Sequence, residues 1–142
     1  MNSFSENRED THDSATGRVL TGAWLWDSAI QLAHFLITRQ LTKTILELGA
    51  DTGLTAALLS ATARVILTDL PPLLPSIRRN AMANGLEACV EVKELDTAAL
   101  GKFDIVLMSD VFYDPEEMES LGRFLRRVSG ENTRFWAATI LR

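Results

Sequence analysis

The sequence predicts a single α/β domain built on a mostly parallel sheet with helices on both faces. From residue 44 onward, short apolar runs of strand length alternate with amphipathic segments of helix length. Several of these runs end in glycine or proline turns, which separate a strand from the helix that follows. Such alternation requires crossover connections, and these place the strands parallel. A length of 142 residues corresponds to one domain, because domains commonly run about 100–200 residues.

The folded domain is predicted to span residues 17–142, after a disordered tail at residues 1–16. The tail is rich in Ser, Asn, Asp and Glu, so it cannot bury enough apolar surface to offset the entropy of ordering. An amphipathic helix follows, with Trp26, Ile30 and Ala33 on its apolar side and polar side chains on the opposite face. Trp26 is interpreted as a core anchor, with the wall of a ligand pocket as the alternative.

The remaining elements follow in order along the chain. Strands are predicted at 44–48, 65–69, 89–95, 103–109 and 134–141. Helices are predicted at about 53–63, at about 73–84, and from Pro115 to about 129. Asn84-Gly85 is a typical helix end, because glycine readily adopts the positive φ that ends a helix.

A candidate cofactor loop lies in the stretch 45–54, Ile-Leu-Glu-Leu-Gly-Ala-Asp-Thr-Gly-Leu. Gly49 and Gly53 allow positive φ and a close approach of a ligand to the backbone. Counted from Gly49, the third and sixth positions are not glycine, so the dinucleotide fingerprint fails and an oxidoreductase is disfavoured. The sequence also has no Gly-Lys-Ser/Thr of a phosphate-binding loop. For the loop alone, a purely structural strand-turn-helix remains the alternative.

Acidic side chains are expected at the carboxyl ends of four successive strands: Glu47, Asp69, Asp96 and Asp110. Ligands bind at this edge of open α/β sheets, and Asp69 lies at about the distance past the loop, ~20 residues, where an acid holds ribose hydroxyls. A carboxylate near a core costs several kcal/mol unless it is paired, so one shared site explains the four acids better than four helix caps. A glycine loop and a ribose acid without a phosphate device fit S-adenosyl-L-methionine (SAM).

Charge and composition disfavour several function classes. The net charge is −5, whereas nucleic-acid binding requires a basic footprint. No apolar stretch approaches the ~18 residues of a membrane span. Two histidines and one cysteine make no metal-ligand cluster. The single Cys89 allows no internal disulfide, so we expect a reducing compartment, the cytoplasm, with the nucleus as the alternative.

Five short stretches follow one another along the chain. They are Gly22…Trp26-Asp27-Ser28-Ala29, Glu47-Leu48-Gly49-Ala50-Asp51-Thr52-Gly53-Leu54, Thr68-Asp69-Leu70-Pro71, Leu95-Asp96 and Ser109-Asp110-Val111-Phe112-Tyr113. Together they resemble the class I, seven-strand SAM-dependent methyltransferases, and more narrowly the protein-lysine methyltransferase-like group with an Asp-x-x-Tyr motif. The resemblance covers residues 17–142. It implies a Rossmann-like sheet in the order 3-2-1-4-5 without the last two strands of the family, and methyl transfer from SAM to a protein lysine.

The resemblance also implies roles for the cofactor-binding residues. Glu47 and Gly49 would hold the methionine end of SAM, and Gly53 would give close approach. Asp69 would bind the ribose hydroxyls, and Asp96 the adenine amine.

The resemblance places the acceptor lysine beside Asp110 and Tyr113, the candidate catalytic residues, with Trp26 near the cofactor or the channel mouth. Methyl transfer to an amine needs a neutral nucleophile and an in-line approach, so much of the catalysis would be positioning. A carboxylate and a hydroxyl can orient the amine or receive its proton.

The chain departs from the group at three points. Asp51, in the cofactor loop, stands where glycine is usual, and is expected to weaken SAM binding or to cap the next helix. Thr97 stands where tryptophan is common. The chain ends at strand five, whose apolar segment 135–141 would be an edge open to pairing with another chain. The alternative function is therefore a catalytically weak or inactive SAM-binding or interaction module.

Overall fold

The computed structural model describes residues 27–37, 39, 43–50, 63–95, 100–109, 111 and 114–139. Its strands are β1 (Thr44–Leu48), β2 (Arg64–Asp69), β3 (Val90–Glu94), β4 (Phe103–Ser109) and β5 (Ser129–Ala138). All pairings are parallel, and the strand order is β3-β2-β1-β4-β5. The predicted fold class and strand order are therefore confirmed.

The described helices are α1 (Asp27–Ile37), α2 (Leu74–Ala83) and α3 (Met118–Val128). Short 3-10 turns at Pro71–Leu73 and Pro115–Glu117 lead into α2 and α3. Helix α2 stops where the sequence predicts, because Asn84 caps it and Gly85 has a φ of +65°. The predicted tail at 1–16 and all but the last residue of the predicted helix at 53–63 lie outside the described residues.

Helices cover both faces of the sheet, as parallel strands buried on two sides require. On one face, α1 and α2 pack on alternate residues of the strands, among them Ile45 and Leu107. On the other face, α3 packs on the residues between them, such as Leu46 and Val106. This alternation fixes which side chains of each strand share a face.

Strand β5 begins five residues earlier than the predicted start at Arg134. The segment Gly130-Glu131-Asn132-Thr133 looks like a turn in sequence, but the structure accommodates it as a bulge. Phe103 of β4 pairs with Ser129 and Ile105 with Arg134, so the extra residues loop out between two paired positions. The Thr133 hydroxyl fixes this bulge by donating to the Phe103 carbonyl at 2.6 Å and accepting from the Gly130 N–H at 2.8 Å.

A carboxylate joins the start of β4 to the start of β1. Asp104 Oδ2 accepts hydrogen bonds from the Thr44 hydroxyl at 2.8 Å and from the Thr44 N–H at 3.1 Å. The hydroxyl bond, followed by the backbone bond, lowers the pKa of the Asp104 carboxyl below its ordinary value. The ionised form is therefore favoured by folding.

We expect Asp104→Asn to flatten the low-pH decline in stability. Because folding lowers this pKa, the ionised Asp104 carboxylate contributes to the free energy of unfolding. The contribution is complete above the pKa of the unfolded chain, about 4, and is lost as the pH falls through the pKa of the folded chain. Urea unfolding between pH 2 and pH 7 measures the slope. Glu117→Gln, the same chemical change on an exposed turn, is the control. An unchanged slope in Asp104→Asn would contradict the assignment.

Candidate functional site

Glu47 and Asp69 lie on the same face of the sheet at its carboxyl edge. Glu47 pairs with Leu67 of β2, and residues paired in register point to the same side. Asp69 lies two residues beyond Leu67, so it points to that side as well. Strand spacing and rise separate the Cα atoms of the two acids by about 8 Å. Two carboxylates that the sequence predicted for one site are thus neighbours.

Glu47 is buried near the carboxyl end of β1, the central strand of the sheet. Glu47 is 2% exposed, and its Oε2 atom is shielded from solvent. The neighbouring Thr68 is also buried, and its hydroxyl donates to the Glu47 carbonyl at 2.7 Å. Burying a carboxylate is costly, and an apolar side chain would fill the same place at lower cost. Such a residue at a ligand-binding edge indicates a binding role better than a packing role.

Asp69 is held in a defined orientation at the end of β2. Asp69 is 6% exposed, and its Oδ1 atom accepts a hydrogen bond from the Leu70 N–H at 2.8 Å. Its carbonyl accepts the Leu95 N–H at 3.0 Å, which joins the ends of β2 and β3. Asp96 is the next residue after Leu95 in the sequence. The carboxylate is therefore positioned before any ligand binds.

Gly49 makes the turn after β1 with a φ of +63°. A Cβ atom added to it would lie 3.4 Å from Cγ1 of Val111, on the segment that follows β4. The Ala50 N–H then donates to the Thr68 carbonyl at 3.1 Å, which ties the turn to β2. Glycine is needed here for its backbone conformation, because other residues rarely adopt positive φ. The sequence-based interpretation of Gly49 as a tight turn agrees with this geometry.

Two buried serines at the same edge belong to the stretches that carry the resemblance, but the sequence analysis assigns neither of them a role. The hydroxyl oxygens of Ser28, in the first turn of α1, and Ser109, the last residue of β4, are 3.0 Å apart. Both residues are buried, at 1% and 5% exposure. The sequence signal that could have found Ser109 is the two-residue alternation of a strand. It puts Ser109 on the same face as Leu107, which pairs with Glu47.

Three of the nine predicted site residues are described: Glu47, Gly49 and Asp69. The other six lie outside the described residues: Trp26, Asp51, Gly53, Asp96, Asp110 and Tyr113. The binding and catalytic roles of all nine stay predictions. Every helix within the described ranges is too short or too polar to cross a membrane.

Solved methyltransferase structures share this fold. Coclaurine N-methyltransferase, bound to N-methylheliamine and SAH, superposes with a TM-score of 0.64 at 16% sequence identity. The match covers 83% of this chain and 40% of that one. At this identity the likeness establishes the fold alone.

Curated relatives are closer in sequence. The protein-lysine methyltransferase METTL21E of Mus musculus is 35% identical over 123 residues, covering 74% of this chain and 50% of that protein. The histone-arginine methyltransferase METTL23 of Mus musculus is 35% identical over 114 residues, covering 70% and 45%. The chain therefore spans half the length of these relatives or less. Residues 8–142 match a family model described as lysine methyltransferase. This chain belongs to the lysine methyltransferase family.

Proposed function

We propose that this chain is a SAM-dependent methyltransferase that acts on a protein lysine. The observation that carries the proposal is the pair of buried carboxylates, Glu47 and Asp69, on one face of the sheet beside the positive-φ turn at Gly49. The family description and the name of METTL21E support lysine as the acceptor. We propose the cytoplasm as its compartment, which suits the free thiol of Cys89.

The described residues fit the chemistry of SAM. Its methionine end carries an ammonium group, and the buried Glu47 carboxylate supplies the opposite charge in surroundings of low dielectric constant. Asp69, whose Oδ1 already holds the Leu70 N–H, offers its carboxylate to the ribose hydroxyls. Gly49 lets the backbone come close to the ligand because it has no Cβ.

SAM supplies an electrophilic methyl group on a sulfonium sulfur. The lone pair of a neutral lysine nitrogen would form the new N–C bond as the C–S bond breaks. The sulfur would keep the electron pair and leave as the neutral thioether of S-adenosylhomocysteine, and the nitrogen would lose a proton. In the proposal, Asp110 and Tyr113 border the channel and orient the amine, and the Asp110 carboxylate receives that proton directly or through water. Positioning supplies most of the rate enhancement, because the reaction needs an in-line approach and little covalent help.

Titration and methyl transfer test the proposal together. Calorimetry with SAM on the purified chain should give one site. Radiolabelled SAM in a cell lysate should label protein, and hydrolysis should release labelled methyllysine. Labelled methylarginine would instead favour the acceptor named for METTL23.

Asp110→Asn and Tyr113→Phe should bind SAM but lose most of the labelling. Binding without labelling would support the inactive module, and absent binding would overturn both functions.

We further propose that Asp51 weakens SAM binding by repelling the carboxylate of the cofactor. Two like charges about 4 Å apart in water interact by about 1 kcal/mol, so Asp51→Gly should tighten binding about fivefold. Asp51→Asn keeps the Cβ and removes the charge, and it separates repulsion from crowding. Calorimetry at low and high salt measures both variants. Equal or weaker binding by Asp51→Gly would refute the idea.

We propose that the outer edge of β5 pairs with the same edge of a second copy. Phe135 is 43% exposed. Trp136 is half-buried and makes a T-shaped contact with the Phe35 ring, with 5.5 Å between the ring centroids. Beside them is a groove of about 390 Å³. The opposite edge, β3, carries the charged Glu91 and Lys93, joined by a 2.9 Å ion pair that discourages strand pairing. Two β5 edges related by a two-fold axis would be self-complementary.

Phe135→Lys should make the chain monomeric, because a charge on an edge strand opposes pairing. Sizing with light scattering over a concentration series measures the state, and the unchanged chain should form dimers. Met82→Lys, at a 64% exposed apolar residue on α2, is the matched control and should keep the dimer. A monomeric unchanged chain at every concentration would overturn the proposal.

A further inference from the structure

The contact between Ser28 and Ser109 joins the beginning of α1 to the carboxyl end of β4. The two hydroxyls are 81 residues apart in sequence and 3.0 Å apart in space, and both are buried. The rest of α1 reaches the sheet through apolar side chains such as Leu32 and Leu36. Apolar contacts are not directional, whereas a hydrogen bond holds its two atoms within a few tenths of an ångström.

This contact lies at the proposed active-site edge. Ser109 is two residues beyond Leu107, the β4 partner of Glu47, so Ser109 and Glu47 share a face with Cα atoms about 8 Å apart. In the sequence, Ser109 immediately precedes Asp110, and Ser28 follows Trp26-Asp27. The hydroxyl pair thus lies next in sequence to proposed site residues on two segments, the one that precedes α1 and the one that follows β4.

We infer that Ser28 and Ser109 are positioning residues that fix the first turn of α1 against the end of β4 for methyl transfer. The inference rests on the proposed function. A buried hydroxyl pair adds little net stability, because each hydroxyl gives up its hydrogen bonds to water. Its directional bond instead prevents α1 from sliding along the sheet, and small displacements at a reacting centre cost large factors in rate.

A double-mutant cycle separates positioning from stability. Ser28→Ala or Ser109→Ala leaves one buried hydroxyl without its partner and should lower the unfolding temperature by about 5 °C. The double variant Ser28→Ala/Ser109→Ala removes both hydroxyls and should recover most of that loss. Turnover should fall about tenfold in the single variants and stay low in the double variant. The Kd for SAM should change less than twofold.

Ser76→Ala is the matched control. Ser76 is buried in α2, and its hydroxyl donates to the Leu73 carbonyl at 2.9 Å, away from the α1–β4 contact. This variant should lose stability and keep its turnover. A double variant that recovers both stability and turnover would show a merely structural pair and overturn the inference.

Amide hydrogen exchange supplies a readout that needs no activity. Amides of α1 at residues 31–35 should exchange at least fivefold faster in the double variant than in Ser76→Ala, because α1 opens locally. Unchanged exchange would overturn the inference even in an active enzyme. Failure of the proposed function has a different signature: the unchanged chain would neither bind SAM nor transfer a methyl group, whatever the exchange rates.

Discussion

Asp69→Asn should weaken SAM binding about ten- to a hundredfold without unfolding the chain. The substitution removes the charge and leaves only one oxygen to accept hydrogen bonds. Hydrogen bonds to a charged group contribute about 1.5–3 kcal/mol, and each 1.4 kcal/mol is a factor of ten in affinity. The asparagine oxygen can still accept the Leu70 N–H, as Oδ1 of Asp69 does at 2.8 Å, so the turn after β2 is kept.

Calorimetric titration with SAM measures this loss, and circular dichroism follows the fold. Asp104→Asn is the matched control, because it makes the same change at the amino end of β4, where the carboxylate holds Thr44. That control should bind SAM within twofold of the unchanged chain. An Asp69→Asn variant with undiminished affinity would remove Asp69 from the site.

Glu47→Gln should weaken SAM binding at least tenfold while the unfolding temperature stays the same or rises. Glu47 is 2% exposed as a whole residue, so the charge is held in a medium that disfavours it, and an amide of the same size removes that cost. The attraction to the ammonium group of SAM is removed at the same time. Opposite effects on stability and binding are typical of residues kept for function.

Thermal unfolding and SAM titration on the same preparation test this pair of effects. Glu91→Gln on β3 is the control, because its carboxylate is paired with Lys93 at the sheet edge, far from the proposed ligand. It should change stability slightly and leave SAM binding intact. A Glu47→Gln variant that loses several degrees of stability but keeps its affinity would identify Glu47 as a structural carboxylate.

The strands that the sequence predicts best are those bounded by abrupt changes of polarity. For β1 and β4 the predicted and observed limits coincide, because each is an apolar run with a single acid in it, ended by glycine or by polar residues. For β5 the local pattern misleads, since the polar residues 130–133 remain within the strand as a bulge. The Thr133 bond to the Phe103 carbonyl that stabilises the bulge spans 30 residues, and no local pattern contains it.

The candidate site is predictable to a similar degree. Parallel strands align their carboxyl ends, and the two-residue alternation puts Glu47 and Asp69 on one face once the register is known. No local pattern in the sequence reveals which residues of neighbouring strands pair. For the same reason the sequence gives no role to Ser28 and Ser109, whose contact depends on where α1 packs.

The bulge in β5 limits how long a strand the sheet can accept at this side. Regular pairing with β4 runs only from Arg134 opposite Ile105 to Ala138 opposite Ser109. Before Arg134 the main-chain donors and acceptors lose their even spacing, because the bulge rotates them out of line. An incoming strand therefore finds about five residues of usable template. If the incoming strand shifted by one residue, its side chains that face Phe135 and Trp136 would move to the opposite faces of the sheet. Even a template this short therefore selects one register.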